Sequence, residues 1–157
     1  MSGQRRGTAI AMTDPERDTF LRTQPLCRVA TVGRDGDPHV SALWFVWDGS
    51  TLWLNSLVRS QRWTDLDRDP RLSVIVDDGG TDFTALRGVE LRGSIEVVGE
   101  APRKGDPLGE LVRPEQLFAD KYMGGGGAFR YDGKHGWLRL TAEKVVSWDF
   151  AKLRRDR

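Results

Sequence analysis

The chain has 157 residues, 24 basic against 23 acidic, a net charge of +1 and 38% apolar residues. That suffices for one domain with a buried core, and the even charge balance excludes a global field that would draw nucleic acid or an anionic membrane. The apolar runs are far short of a membrane span, residues 1–12 lack the apolar stretch of a secretory signal, and the single cysteine, Cys27, excludes an internal disulfide and suits a reducing cytoplasm.

Residues 1–12 read as a loose, flexible N-terminal arm. Thr13-Asp14-Pro15-Glu16 is a capping box, which predicts a helix to about Leu21 docked by Phe20 and Leu21. Cys27 to Val32 reads as a strand, Gly33 to Asp37 as a hairpin loop, and His39 to Trp47 as a second strand. Asp48-Gly49 is a two-residue turn signal leading to a third strand, Thr51 to Asn55, so the first half is expected to open as a meander. A helix from about Ser60 stops at Asp69-Pro70, with Trp63 and Leu66 turned inward. Leu72 to Asp77 is an almost continuous apolar run, which predicts a strand covered on both faces. From Val89 to Val97 the alternation predicts a long half-exposed strand, with Gly88 and Gly93 as bend or bulge points.

A loop rich in Pro and Gly, Ala101 to Gly109, leads to helical segments over about Leu111 to Met123, with Leu117, Phe118 and Tyr122 as the apolar face. Gly124 to Gly127 is a flexible run, and a last strand spans Gly136 to about Val146. There is no internal repeat and no domain boundary. Residues 13–153 are expected to form one domain, followed by a basic tail at 154–157. Six strands in hairpin order, with short helices between them, predict a mainly β, closed antiparallel barrel with helices at its ends.

Polar side chains concentrate where the third strand gives way to the following helix: Asn55, Ser56, Arg59, Ser60, Gln61 and Arg62 lie within eight positions. A helix start offers unpaired N–H groups and the positive end of its dipole, and arginine adds bidentate, permanently charged contacts. Together these make an anion site, most naturally for a phosphate. The same residues also suit a plain helix cap on Ser60 with solvated arginines.

The order of motifs carries a resemblance. Arg28-Val29-Ala30-Thr31-Val32, Gly36-Asp37-Pro38-His39-Val40 and Leu43-Trp44-Phe45 resemble the opening of the pyridoxamine 5'-phosphate oxidase-like split-barrel superfamily. Asn55-Ser56, Ser60-Gln61-Arg62 and Arg68-Asp69-Pro70-Arg71 resemble its phosphate-binding turn and helix. Leu86 to Gly93 and Val146 to Phe150 are similar to a narrower group, the actinobacterial flavin/deazaflavin oxidoreductases of the B type, many of which use coenzyme F420.

The resemblance implies a six-stranded, FMN-binding-like split β-barrel that works as a cytoplasmic homodimer with cofactor clefts at the interface. It places the phosphate on Arg59, Ser60 and Arg62, and the ring along His39, Ser41, Ala42, Leu43 and Trp44 and near Asn55 and Ser56. It implies an oxidoreductase that transfers a hydride between F420 and a planar conjugated acceptor. FMN in the same fold, or a cofactor- or tetrapyrrole-binding protein without turnover, are the alternatives. Two departures stand out: Arg62 replaces the family's usual Lys, and Trp63 replaces a small or basic residue.

Other residues carry open readings. His39 and Ser41 suit either a ring edge or a strand surface. Trp44 and Trp63 suit ligand contact, while Trp47 and Trp53 suit core or dimer interface. Lys121, Arg130 and Lys134 flank the glycine run and either meet an acidic oligoglutamate tail under a lid or are solvated. Cys27 reads as core. No metal site is expected, because His39 and His135 have no Cys or Glu at ligand spacing.

Overall fold

The structure, a computed structural model, describes residues 3–154. The first two residues of the expected arm and the last three of the expected tail lie outside the described residues. Helix α1 (Asp14–Thr23) starts on the capping box: Thr13 Oγ1 accepts from Glu16 N at 3.3 Å, and Glu16 Oε2 accepts from Thr13 N at 2.8 Å. Phe20 and Leu21 are buried on its inner side. The strands are β1 (Cys27–Val32), β2 (Pro38–Leu43), β3 (Phe45–Trp47), β4 (Leu52–Leu57), β5 (Arg71–Asp78), β6 (Arg87–Val98) and β7 (His135–Asp149). Helix α2 (Gln61–Arg68) follows β4, and α3 (Gly109–Tyr122) lies between β6 and β7. Among the described residues no helix is long and apolar enough to cross a membrane.

All pairings are antiparallel, and the strands form one curled sheet in the order β2-β1-β5-β6-β7-β4-β3. Seven strands replace the six expected. The second expected strand is in fact two, broken at Trp44; β2 pairs with β1 and β3 with β4, at opposite edges of the sheet. The opening meander is therefore absent, because β2 and β4 touch without being hydrogen-bonded neighbours. A tyrosine of α3 explains how the chain leaves one edge for the other. Tyr122 Oη lies 2.9 Å from Phe45 O and 3.3 Å from Phe45 N, so it takes up backbone groups next to the break.

The inner face of the curl holds one core cluster, built on Phe45, Leu54, Val74, Val76, Val89, Leu91 and Leu138. A second cluster, Val46, Trp53, Val98, Leu111, Phe118 and Trp137, fills the space between the outer face and α3. Two corrections follow from these layers. β5 is not covered on both faces: Leu72, Val74 and Val76 are buried while Ser73 and Ile75 are half-exposed. On β6 Val97 is exposed and its neighbour Val98 is buried, since the covered side switches to the α3 layer at that end.

The arm is docked over its described part. Gln4 accepts from Ser147 N and donates to Ser147 O, both at 3.0 Å, so a side-chain amide stands in for a neighbouring strand on β7. Met12 is buried, and its N–H donates to Ser147 Oγ at 3.0 Å.

Gly93 sits at the register shift between β6 and β7, as its place in the alternation predicted. A Cβ there would stand 1.9 Å from Thr141 O. Gly93→Ala is expected to destabilise the fold by about 3 kcal/mol or more, since the obstruction is backbone and cannot rotate away. Chemical denaturation of wild type and variant checks this, and a change within about 0.5 kcal/mol would contradict the register described.

Candidate functional site

The site lies at the split between β2 and β4, and Arg62 spans it. Ser60 caps α2 through its Oγ, which accepts from Trp63 N at 3.1 Å and donates to Leu57 O at 2.8 Å. The helix therefore starts directly after β4 and turns Arg62 back beneath the strand ends. Arg62 Nε donates to Ser56 Oγ on β4 at 3.0 Å, and Nη1 donates to Ser41 Oγ on β2 at 2.5 Å. The residue is 6% exposed, and among the described residues no carboxylate pairs with it. Burial lowers its pKa, as expected of a cation taken out of water without a counter-ion.

Arg62 faces a cavity of about 420 Å³. Ala42, Leu43 and Trp44 form one side, Asn55 and Leu57 another, and Phe118 of α3, Met123 at its C-terminal cap, Phe129 to Asp132 and His135 the far side. The Trp44 ring stacks on Tyr122, with centroids 4.5 Å apart and planes 10° from parallel, yet remains 48% exposed. Asn55 is 9% exposed, and its Nδ2 has no hydrogen-bond partner. It stands opposite Trp137 in the β4–β7 register, and Trp137 Nε1 is likewise buried and unpartnered. A buried donor without an acceptor is costly; of the two, Asn55 borders the cavity, while Trp137 lies in the cluster against α3.

A buried network fixes the far wall. Arg103, 5% exposed, donates through Nε to Glu115 Oε1 at 2.7 Å and through Nη1 to Glu100 and to Asp106 O, the latter at 2.7 Å. Tyr131 donates to the other oxygen of Glu115 at 2.6 Å, and this hydrogen bond raises its pKa. The network ties the loop after β6, α3 and the segment before β7 into one unit. Arg103 borders the cavity, but its charge is spent on two carboxylates. At the rim, His135 Nδ1 and Asp132 Oδ2 are 2.5 Å apart.

Of the residues named from sequence, Ala42, Leu43, Trp44, Asn55 and Arg62 come together around the cavity. Ser41 and Ser56 lie behind it, holding Arg62. Others do not reach it. Ser60 is occupied in the cap, and Gln61 Nε2 donates to Asp65 at 2.8 Å. Arg59 is exposed on the turn and does not border the cavity. His39 faces Thr31 and Asp65, 3.4 and 3.6 Å away. Trp63 turns to the opposite side of β7, where a Cβ on Gly136 would stand 2.7 Å from its ring; the missing side chain at Gly136 makes its berth. Of the three cations near the glycine run, only Arg130 borders the cavity. Lys121 instead lies 4.1 Å from the centroid of the Phe45 ring, where burial pushes its pKa down to about 8. Cys27 is buried, which pushes its thiol up to about 12.

Arg103, Glu115, Tyr131 and the Asp132–His135 pair were not found from sequence. The glycine run beside them was a signal of an irregular wall, but nothing local announced that Glu115 and Arg103, twelve positions apart, would meet. Among the described residues no group of three metal-ligating side chains is brought together.

Comparison with known families decides the membership. The family profile described as pyridoxamine 5'-phosphate oxidase matches residues 13–149. The chain belongs to this family. A conserved hypothetical protein from Mycobacterium tuberculosis is 30% identical, over 98% of this chain and 93% of that one, with a TM-score of 0.79. An F420 reductase is 26% identical over 82% of this chain and 94% of its own, with a TM-score of 0.59. An FAD-binding protein from Mesorhizobium loti has a TM-score of 0.64 at 19% identity, over 87% of this chain and 93% of that chain, a likeness of fold alone. No curated protein matches the chain. The split-barrel fold of the pyridoxamine 5'-phosphate oxidase family is thus this chain's fold, and the cavity lies between its strands β2 and β4.

Proposed function

We propose that the cavity binds a flavin-type cofactor and that the chain is an oxidoreductase transferring a hydride between coenzyme F420 and a planar conjugated acceptor. Arg62 carries the proposal: a buried cation with no carboxylate partner, facing a cavity with aromatic walls. Its unspent N–H groups suit a phosphate oxygen, and a guanidinium binds two such oxygens at once. Asn55 Nδ2 suits a carbonyl acceptor on a ring edge, and Trp44 offers a flat face at the mouth. A deazaflavin bound there supplies the two-electron hydride chemistry. The chain's own groups bind and orient, and Phe118, Phe129 and Tyr131 give the far side an aromatic surface for a ring to pack on. The 26% identity to an F420 reductase favours F420 over FMN. A second copy closing the open side belongs to this proposal, because Leu26, Trp44 and Leu57 line the cavity and are all more than 40% exposed; a cytoplasmic location goes with it.

Paired titrations of the purified protein with F420 and FMN, followed by ligand fluorescence, test it. F420 is expected to bind at least about tenfold tighter, about 1.4 kcal/mol. Preference for FMN moves the chemistry to flavin and removes F420 from the proposal. Binding of neither removes the cofactor site. Tight F420 binding without hydride transfer to any quinone, nitroaromatic or unsaturated lactone leaves a binding protein instead of an enzyme.

A further inference from the structure

Many surface cations of this chain are matched to a carboxylate, as Arg28 is to Asp77, Arg71 to Asp69 and Arg87 to Asp78. One face of β6 and β7 gathers more cations than its carboxylates match: Arg92 is bonded to Glu90, but its neighbours add further positive charge. Arg92 and Lys144 stand directly opposite each other across the two strands, beside the register shift at Gly93. Like charges at opposed positions of a sheet repel. The N-terminal arm then adds Arg5 and Arg6 to the same place. The four side chains line a cavity of about 460 Å³ in which no carboxylate is among the lining residues. Glu90 is the nearby acid, accepting from Arg92 Nε at 2.8 Å, so the group carries a surplus of three positive charges in a chain whose total is +1. The arm does not lie there by chance of a loose end. Gln4 is fastened to both backbone groups of Ser147, and Gln4 Nε2 also donates to Arg6 O at 2.8 Å, which folds the arginine pair over the strands.

We propose that this cavity is a second anion site, taking a diphosphate or longer phosphate group. None of its lining residues borders the cavity at Arg62. Three guanidiniums offer paired donors to phosphate oxygens, and a surplus of three charges matches a diphosphate. Bound phosphate would relieve the repulsion between Arg92 and Lys144, an arrangement otherwise unfavourable to the sheet.

The test is a titration of the full chain with sodium pyrophosphate at constant ionic strength, followed by proton–nitrogen correlation NMR. The amides of Arg5, Arg6, Arg92 and Lys144 are expected to shift with a Kd below about 1 mM. Lys144→Glu, at an exposed position, and the double variant Arg5→Ala/Arg6→Ala are each expected to weaken binding by about tenfold or more. ADP in parallel distinguishes the sources of the group. Equal affinity means that the phosphates alone are read, tighter ADP means a nucleotide, and either supports the site. No shift at ten times that concentration overturns the proposal. So do shifts confined to Ser56 through Arg62, or unchanged affinity in Lys144→Glu.

Discussion

Arg62→Met is expected to weaken binding of a phosphorylated cofactor by roughly tenfold to a hundredfold, the equivalent of one charge-assisted hydrogen bond of about 1.5–3 kcal/mol. The same variant is expected to leave the thermal midpoint near its wild-type value or raise it. Arg62 is buried with no carboxylate partner, and its only protein acceptors among the described residues are the hydroxyls of Ser41 and Ser56. A buried unpaired cation is a liability to the folded state. Methionine fills similar volume without the desolvation penalty, so affinity and stability should move in opposite directions. That opposition separates a ligand-binding arginine from a structural one, which would lose both. Arg62→Lys keeps the charge but not the fork, and is expected to fall between the two. Isothermal titration with F420 and FMN, beside a melting curve, reads both quantities. Full affinity in a folded Arg62→Met protein would take Arg62 out of the site.

Arg103→Met is expected to lose stability instead, by about 3–5 kcal/mol. Arg103 joins Glu115 on α3, Glu100 and Asp106 in the loop after β6, and lies 5.5 Å from the centroid of the Tyr131 ring. Removing it strands Glu115, itself 7% exposed, behind the wall of the cavity with only Tyr131 among the described residues to bond it. For a chain of this length the melting temperature should fall by roughly 6–20 °C. The double variant Arg103→Met/Glu115→Leu removes both charges together and is expected to regain much of that loss, because the penalty comes from the orphaned carboxylate. A loss below about 1 kcal/mol in the single variant would mean that water reaches Glu115 and that the wall is not a closed unit.

The contrast between these two arginines marks what sequence reading reaches. Arg62 was legible because its neighbours in the chain, Ser56 through Gln61, announce a strand-to-helix junction, and such a junction has a local grammar of caps and donors. Ser60 caps the helix as that grammar requires, and Arg62, two positions farther on, borders the cavity. Trp63 shows the limit of the same reasoning. One position farther along the helix it points elsewhere, into space left by Gly136, and no pattern near Trp63 reports on a glycine that far away.

Capping and alternation were therefore decided by the sequence itself, because both depend on residues two to four positions apart. The capping box of α1, the bounds of β1 and the bend at Gly93 belong to this class. What brings distant segments together was decided only by the tertiary structure. The break at Trp44 sends β2 and β3 to opposite edges because Tyr122 of α3 satisfies the backbone there. Arg103 finds Glu115 because α3 packs on the outer face of the sheet. The arm brings Arg5 and Arg6 over Lys144 because Gln4 completes an edge of β7. In each case the deciding interaction satisfies a polar group that burial or an open strand edge would otherwise leave without a partner, and that need exists only once the sheet has curled.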